Sequence, residues 1–327
     1  MTTSFPWTLG ASAFNWTPDV IRAESRATDI AVSIVSSGIA PVIEVELGQL
    51  WRSFPHSTDA EAENLRNDLA AAGGRVSIVG GSIDDWASPT RRLDDEERIS
   101  FLRPQLRTAQ RLGAMGIRLP IGQAGPALLA RLLPELHELD LVLFEEVQGS
   151  QHPASVAHRA DYETIAHLDD PRLRLLIDIS MLMPALPVTY LEQLRASALP
   201  SAFVDRLEED WRDPATTDAA VALLRSGSVP PSVHTLFMNL VVRFGRTPVS
   251  DLHDVLPFVG AAHLKFWDLD DADARISQPI RDVADALRGV GFSRPLTSEW
   301  GGHEWLDADP TATTRHHLEM VRVALSE

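Results

Sequence analysis

Eight short apolar or β-branched runs, each followed by a helix-like stretch, leave this chain few folds to choose from. The runs are residues 7–12, 42–47, 75–80, 116–119, 139–147, 173–179, 261–267 and 295–300. Punctuation between them supports helices: Thr17-Pro18 opens one that Gly38 closes, and Asp309-Pro310 opens the last. Gly73-Gly74, Gly113 and Gly289 read as helix stops. The helix expected from Asp94 to Leu112 contains Pro104, which predicts a kink or a later start. Strand–helix alternation argues an α/β chain with a parallel sheet. Eight repeats argue a closed (β/α)8 TIM barrel rather than an open, doubly wound sheet, and no G-x-G-x-x-G follows an early strand.

The spacing breaks once. Between the sixth and seventh runs lie about 80 residues, far more than a crossover needs. This stretch has helix-like pieces at 190–197, 202–211 and 217–225, broken by Pro184, Pro187, Pro200, Pro214, Pro230 and Pro231. It is read as a helical insertion, 181–255, at the C-terminal rim of a single barrel spanning 1–327.

Composition removes several function classes. With no cysteine there is no disulfide, thiolate-bound zinc, iron–sulfur cluster or thiol catalysis. A net charge of −17 disfavours a nucleic-acid partner. No apolar run is long enough for a membrane span, and residues 1–8 lack the pattern of a signal peptide, so a cytoplasmic location is expected. Of 29 basic residues one is lysine, Lys265; the others are arginines. A bias toward arginine explains 28 of these but not the exception. Lysine is a compact ammonium that a planar guanidinium cannot replace, so Lys265 is a candidate functional group.

Chemistry concentrates at the ends of the last four runs. These read Phe144-Glu145-Glu146-Val147-Gln148, Leu176-Ile177-Asp178, Ala262-His263-Leu264-Lys265-Phe266-Trp267 and Ser298-Glu299-Trp300-Gly301. Each places an ionisable group among apolar neighbours, where an unpaired charge is costly. The C-terminal face of a barrel gathers such ends, so Glu145 or Glu146, with Asp178, His263 and Glu299, is expected to hold one divalent metal. Three carboxylates and an imidazole suit Mn²⁺, Mg²⁺ or Co²⁺ better than a thiolate-seeking ion; Mn²⁺ is the first expectation and Zn²⁺ a further one. Alternation along a strand puts His263 and Lys265 on one face. It also sends Glu145 and Glu146 opposite ways, and parity alone does not choose between them.

The whole barrel resembles the xylose-isomerase-like group of sugar phosphate isomerases and epimerases, through a Glu on the fifth strand, an Asp on the sixth, H-x-K on the seventh and S-E on the eighth. Within that group, 262–268 with 276–280 and 296–302 are similar to C-glycoside deglycosidase α-subunits. The group's fifth-strand motif is Glu-x-His. Glu146-Val147-Gln148 fits it with Gln in the third place, which selects Glu146. If that histidine moves a proton in relatives, Gln148 cannot, and either His152 or His303 would serve instead or the reaction differs.

The resemblance implies a metal-dependent enzyme acting on a keto-sugar. The expected reaction is lyase cleavage of the C–C bond of a 3-oxo-C-glucoside by proton abstraction, with sugar isomerisation or epimerisation as the alternative. Lys265 would donate to the oxygen on which charge develops, or orient a neighbouring hydroxyl. Trp16, Trp51, Trp267, Trp300 and Trp305 are candidate walls for a sugar or aromatic aglycone. The expected partners are a sugar or glycoside and, by resemblance, a small β-subunit. The DNA-repair endonuclease branch of the fold resembles the chain in architecture only, since it relies on several histidines and a basic surface. A barrel retained as a non-catalytic subunit is the third reading, and metal content discriminates it.

Overall fold

The structure, a computed structural model, describes residues 6–326. Residues 1–5, part of the stretch read for a signal peptide, and residue 327 lie outside the described residues. Eight parallel strands close into a barrel. We number them β1 (Leu9–Ser12), β2 (Val42–Glu46), β3 (Arg75–Gly80), β4 (Gly116–Pro120), β5 (Val142–Val147), β6 (Leu173–Asp178), β7 (Val259–Phe266) and β8 (Leu296–Trp300). β1 pairs with both β2 and β8, so no barrel edge remains open. Burial on both faces explains why these strands read as continuous apolar runs.

Outside the barrel, helices bury one apolar stripe each against the strands. In the helix Asp95–Leu112, Ile99, Leu102, Leu106 and Ala109 are buried at helical spacing, and a capping box between Asp94 and Glu97 fixes its start. This helix runs through Pro104 without a later start. The helix expected from Thr17 to Gly38 is instead two, Thr17–Arg22 and Ala27–Ser36. The first ends where Ala23 takes a left-handed φ of 56°, a reversal that the glycine-based reading of helix ends does not register. A small hairpin, Trp86–Ser88 with Arg91–Arg92, was not legible as strands.

Between β6 and β7 the chain forms helices Val188–Arg195, Ser201–Glu209, Pro214–Arg225 and His234–Val242. They share an apolar cluster containing Tyr190, Phe203, Phe237 and Phe244, which reaches Trp267 just beyond β7. Gly245 N and Thr247 N donate to Ser180 O and Met181 O, tying the end of this segment to the turn after β6. Trp305 Nε1 donates to Thr189 Oγ1, and Asn239 Nδ2 to Glu304 Oε2, so the segment also packs against the loop after β8.

Candidate metal centre

The strand register brings the four expected ligands together. Asp178 on β6 lies opposite His263 on β7, while Glu299 on β8 lies opposite Lys265. Glu146 is the penultimate residue of β5, and its neighbour Glu145 points away, accepting from Gly122 N at 2.7 Å. One candidate ligand atom from each of Glu146, Asp178, His263 and Glu299 lies within 4.8 Å of the others, and all four residues are buried. Lys265 joins them, as the shared face with His263 requires.

A common pattern runs through the four side chains. Glu146 Oε2 accepts from Arg118 Nη1 at 2.7 Å. Asp178 Oδ1 accepts from Ser180 N at 2.7 Å. His263 Nε2 meets Glu44 Oε2 at 2.9 Å. Glu299 Oε1 accepts from Lys265 Nζ at 2.8 Å. Each is thus held by one atom. The second atoms of three of them, Asp178 Oδ2, His263 Nδ1 and Glu299 Oε2, are buried and have no hydrogen-bond partner among the described residues. Buried polar atoms are normally satisfied, so three orphans at one point call for a missing partner. His263 Nδ1 lies 2.5 Å from Glu299 Oε2 and 3.2 Å from Glu146 Oε1 without hydrogen-bond geometry. A lone pair facing two carboxylates is repulsive unless a cation or a proton stands between them.

Electrostatics agree. Glu44, Glu46, Glu146, Asp178 and Glu299 face Arg118 and Lys265, five acidic side chains against two fixed cations before His263 is counted. Burial pushes Asp178 up to about 6 despite the pull of Lys265. Burial would lower His263, but the carboxylates of Glu299, Glu44 and Glu146 hold it well above the usual imidazole range. Burial would raise Glu299, yet Lys265 and His263 hold it well below the ordinary carboxylate range. A cluster of this kind holds protons that a divalent ion displaces when it binds. The donor set therefore fits a divalent metal.

The other candidates separate. His303 lies beside the centre: its ring packs edge-on against Phe14 at 4.9 Å and Trp300 at 5.5 Å, and Nε2 is buried without a hydrogen-bond partner among the described residues. Burial, with Lys265 nearby, lowers His303 to about 4, so it is neutral at pH 7. Gln148 follows β5, where its backbone N–H donates to Gln151 Oε1, and His152 is half-buried in the same loop. Trp16 and Trp300 are buried core side chains, Trp267 is buried but lines a small cavity with Lys265, and Trp51 and Trp305 are half-buried. An opening of about 240 Å³ lies next to the centre, lined by Phe14, Glu46, Gln49, Phe54 and Gly81.

Sequence reasoning missed Glu44, Glu46 and Arg118. Arg118 spans Glu146 on β5 and Glu46 on β2, and Gly80 leaves room for Glu46, since a Cβ there would overlap Glu46 Oε2. The available signal was Val42-Ile43-Glu44-Val45-Glu46, two acids at strand spacing in an otherwise apolar run.

No family model matches the chain. It is similar over nearly its whole length to a C-glycoside deglycosidase alpha subunit of Arthrobacter globiformis, 26% identical over 98% of this chain and 92% of the relative. It is 27% identical to a 3'-dehydrocarminate deglycosidase alpha subunit of a Microbacterium species, over 92% of this chain and 90% of the relative. Solved xylose isomerase domain proteins share the fold. So does the IOLI protein crystallised with a binding zinc atom, at a TM-score of 0.58 and 11% identity over 98% of both chains.

Proposed function

We propose that this chain is the catalytic α-subunit of a divalent-metal C-glycoside deglycosidase, cleaving the sugar–aglycone C–C bond of a 3-oxo-C-glucoside. The observation that carries the reading is the convergence of Glu146, Asp178, His263 and Glu299, each anchored by one atom, with three of the second atoms buried and unpartnered. The two deglycosidase alpha subunits it resembles along nearly their whole length support the substrate class.

Those four residues would hold the metal, which when bound supplies Lewis-acid polarisation of a carbonyl oxygen. Lys265 presents a fixed ammonium with one proton committed to Glu299. Its other donors serve a keto-sugar oxygen where negative charge develops. His303 is neutral with Nε2 free of a protein partner, and accepts the proton from the carbon next to the carbonyl. The electron pair left behind forms a C=C bond in the sugar, the bond to the aglycone breaks, and the aglycone carbon takes up a proton. Gln148 stands in the third place of the Glu-x-His motif, where its amide can form hydrogen bonds but cannot move a proton. Phe14 and Phe54 flank the opening through which the glycoside enters. The helices between β6 and β7 pack on Trp267 and Trp305 and cover one side of the rim. A small β-subunit completes the enzyme, as the relatives' designation as alpha subunits suggests.

The test is a substrate panel of 3-oxo-C-glucosides, 3-oxo-O-glucosides and free ketoses, run with the β-subunit, with added Mn²⁺ and with chelator. Metal-dependent release of free aglycone from a 3-oxo-C-glucoside is expected. Alanine at Glu146, Asp178, His263 or Glu299 should lower metal content while leaving the far-ultraviolet circular dichroism intact. Ketose isomerisation with no aglycone release would assign the chain to epimerase chemistry instead, and full metal retention in all four variants would remove the centre.

A further inference from the structure

We infer that Glu44 is a positioning residue that fixes the proton of His263 on Nε2 and so presents Nδ1 as the metal-binding atom. The inference rests on reading the four converging side chains as a cation site. It starts from an interaction that spans the barrel. Glu44 is on β2 and His263 on β7, strands separated around the wall by β1 and β8. Their side chains nevertheless meet across the interior at 2.9 Å, Glu44 Oε2 to His263 Nε2, with His263 fully buried and Glu44 2% exposed.

Glu44 is itself held. Its Oε1 accepts from Thr297 Oγ1 at 2.6 Å, and Thr297 lies opposite His263 in the β7–β8 register. Arg118 Nε stands 3.8 Å from Oε2 as a counter-charge. The carboxylate therefore cannot swing away without abandoning a buried hydroxyl. Once a bound cation has displaced its second proton, the imidazole has one N–H and one lone pair. With Glu44 as an obligate acceptor at Nε2, the lone pair must be at Nδ1, the atom that faces Glu146 and Glu299 and has no hydrogen-bond partner among the described residues. The carboxylate also raises the donor strength of the ring, the usual effect of such a partner on a metal-binding histidine. Arg118, Ser180 N and Lys265 hold the other three side chains, so Glu44 completes the set of supports. It is also the support that chooses between two chemically different faces of its client.

The experiment uses the full chain, stripped with chelator and labelled with ¹⁵N-histidine, as wild type and as Glu44→Ala, Glu44→Gln and Thr297→Val. Mn²⁺ affinity is measured by titration calorimetry, and the His263 ring signals by ¹H–¹⁵N spectroscopy before and after Zn²⁺. Wild type should show a downfield, slowly exchanging Nε2–H signal that persists when Zn²⁺ binds through Nδ1. Glu44→Ala should lose that signal and bind Mn²⁺ roughly 10- to 100-fold more weakly, with an unchanged far-ultraviolet spectrum. Glu44→Gln keeps an acceptor and should recover part of the affinity, which separates positioning from simple loss of charge. Thr297→Val should weaken binding less than Glu44→Ala. An Nε2–H signal unchanged in Glu44→Ala, or Mn²⁺ bound as tightly as by wild type, overturns the inference while leaving the metal reading in place. Should wild type bind neither Mn²⁺ nor Zn²⁺, the metal reading falls, and the Nε2–H signal in the stripped protein still decides whether Glu44 holds that proton.

Discussion

Lys265 sits in a niche cut for an ammonium. Its side chain is 4% exposed, Nζ is 2.8 Å from Glu299 Oε1 and 5.1 Å from the centre of the Phe14 ring, and Asp178 and Glu146 add to its stabilisation. A guanidinium is planar and larger, and cannot place a single compact donor where Nζ stands between Glu299 and the Phe14 ring. Lys265→Arg should therefore fold and bind metal, yet lose aglycone release by roughly 100-fold, the scale of one misplaced electrostatic donor. Steady-state turnover beside a metal assay checks this, and wild-type turnover in the variant would return the lone lysine to composition bias. This residue was legible because it is an exception within a strong bias. The four candidate ligands were legible because each interrupts an apolar strand end with an ionisable group. Glu44 was not, because its role lies in a meeting with His263 across the barrel interior, 219 residues away in sequence, and Arg118 was not, because it bridges Glu146 on the neighbouring strand and Glu46 on β2. No spacing along a single strand encodes that meeting.

At the level of elements, strand positions were legible to within a few residues, since a parallel strand buried on both faces gives an unbroken apolar run. Helix interruptions were less so. Pro104 sits inside an unbroken helix whose buried stripe and capped start outweigh the lost backbone bond, while the break at Ala23 has no glycine to announce it. The cap makes a measurable claim. Asp94 Oδ1 accepts from Glu97 N at 2.9 Å, and the Glu97 carboxylate accepts in return from Asp94 N at 3.0 Å. Arg91 holds Glu97 in place at 2.8 Å. Asp94→Ala should cost about 1 kcal/mol of stability, read as a lower urea midpoint at constant slope. Metal affinity should not change, because this helix start is exposed and its hydrogen bonds stay local. An unaltered midpoint would mean that packing of Ile99, Leu102 and Leu106 alone sets where the helix begins.

Closure of the whole molecule depends on joining its two ends, and the joint contains a titratable group. β1 pairs with β8, and the C-terminal helix Pro310–Ser326 lies over that seam. Asn15, just after β1, donates to Thr314 Oγ1 at 3.0 Å and accepts from Trp300 N at 2.6 Å. His317 of the same helix is fully buried, stacks on Phe266 with ring centres 3.8 Å apart, and pairs through Nδ1 with Ser298 Oγ at 2.8 Å. Burial, reinforced by neighbouring His316, lowers His317 to about 3. The folded form therefore keeps this ring neutral, whereas the unfolded chain takes up its proton near pH 6.5. A depressed folded value means full stabilisation above pH 6.5 and progressive loss as pH falls toward 3, because the unfolded state binds the extra proton. The slope from this one group is at most about 1.4 kcal/mol per pH unit. His317→Gln removes the titration while retaining a group able to pair with Ser298. Urea unfolding of chelator-stripped protein between pH 7 and pH 4.5 should show wild-type stability falling more steeply than that of the variant, by up to one proton's worth. Equal slopes would show that the seam opens before the core does, letting His317 reach solvent while the rest of the barrel stays folded.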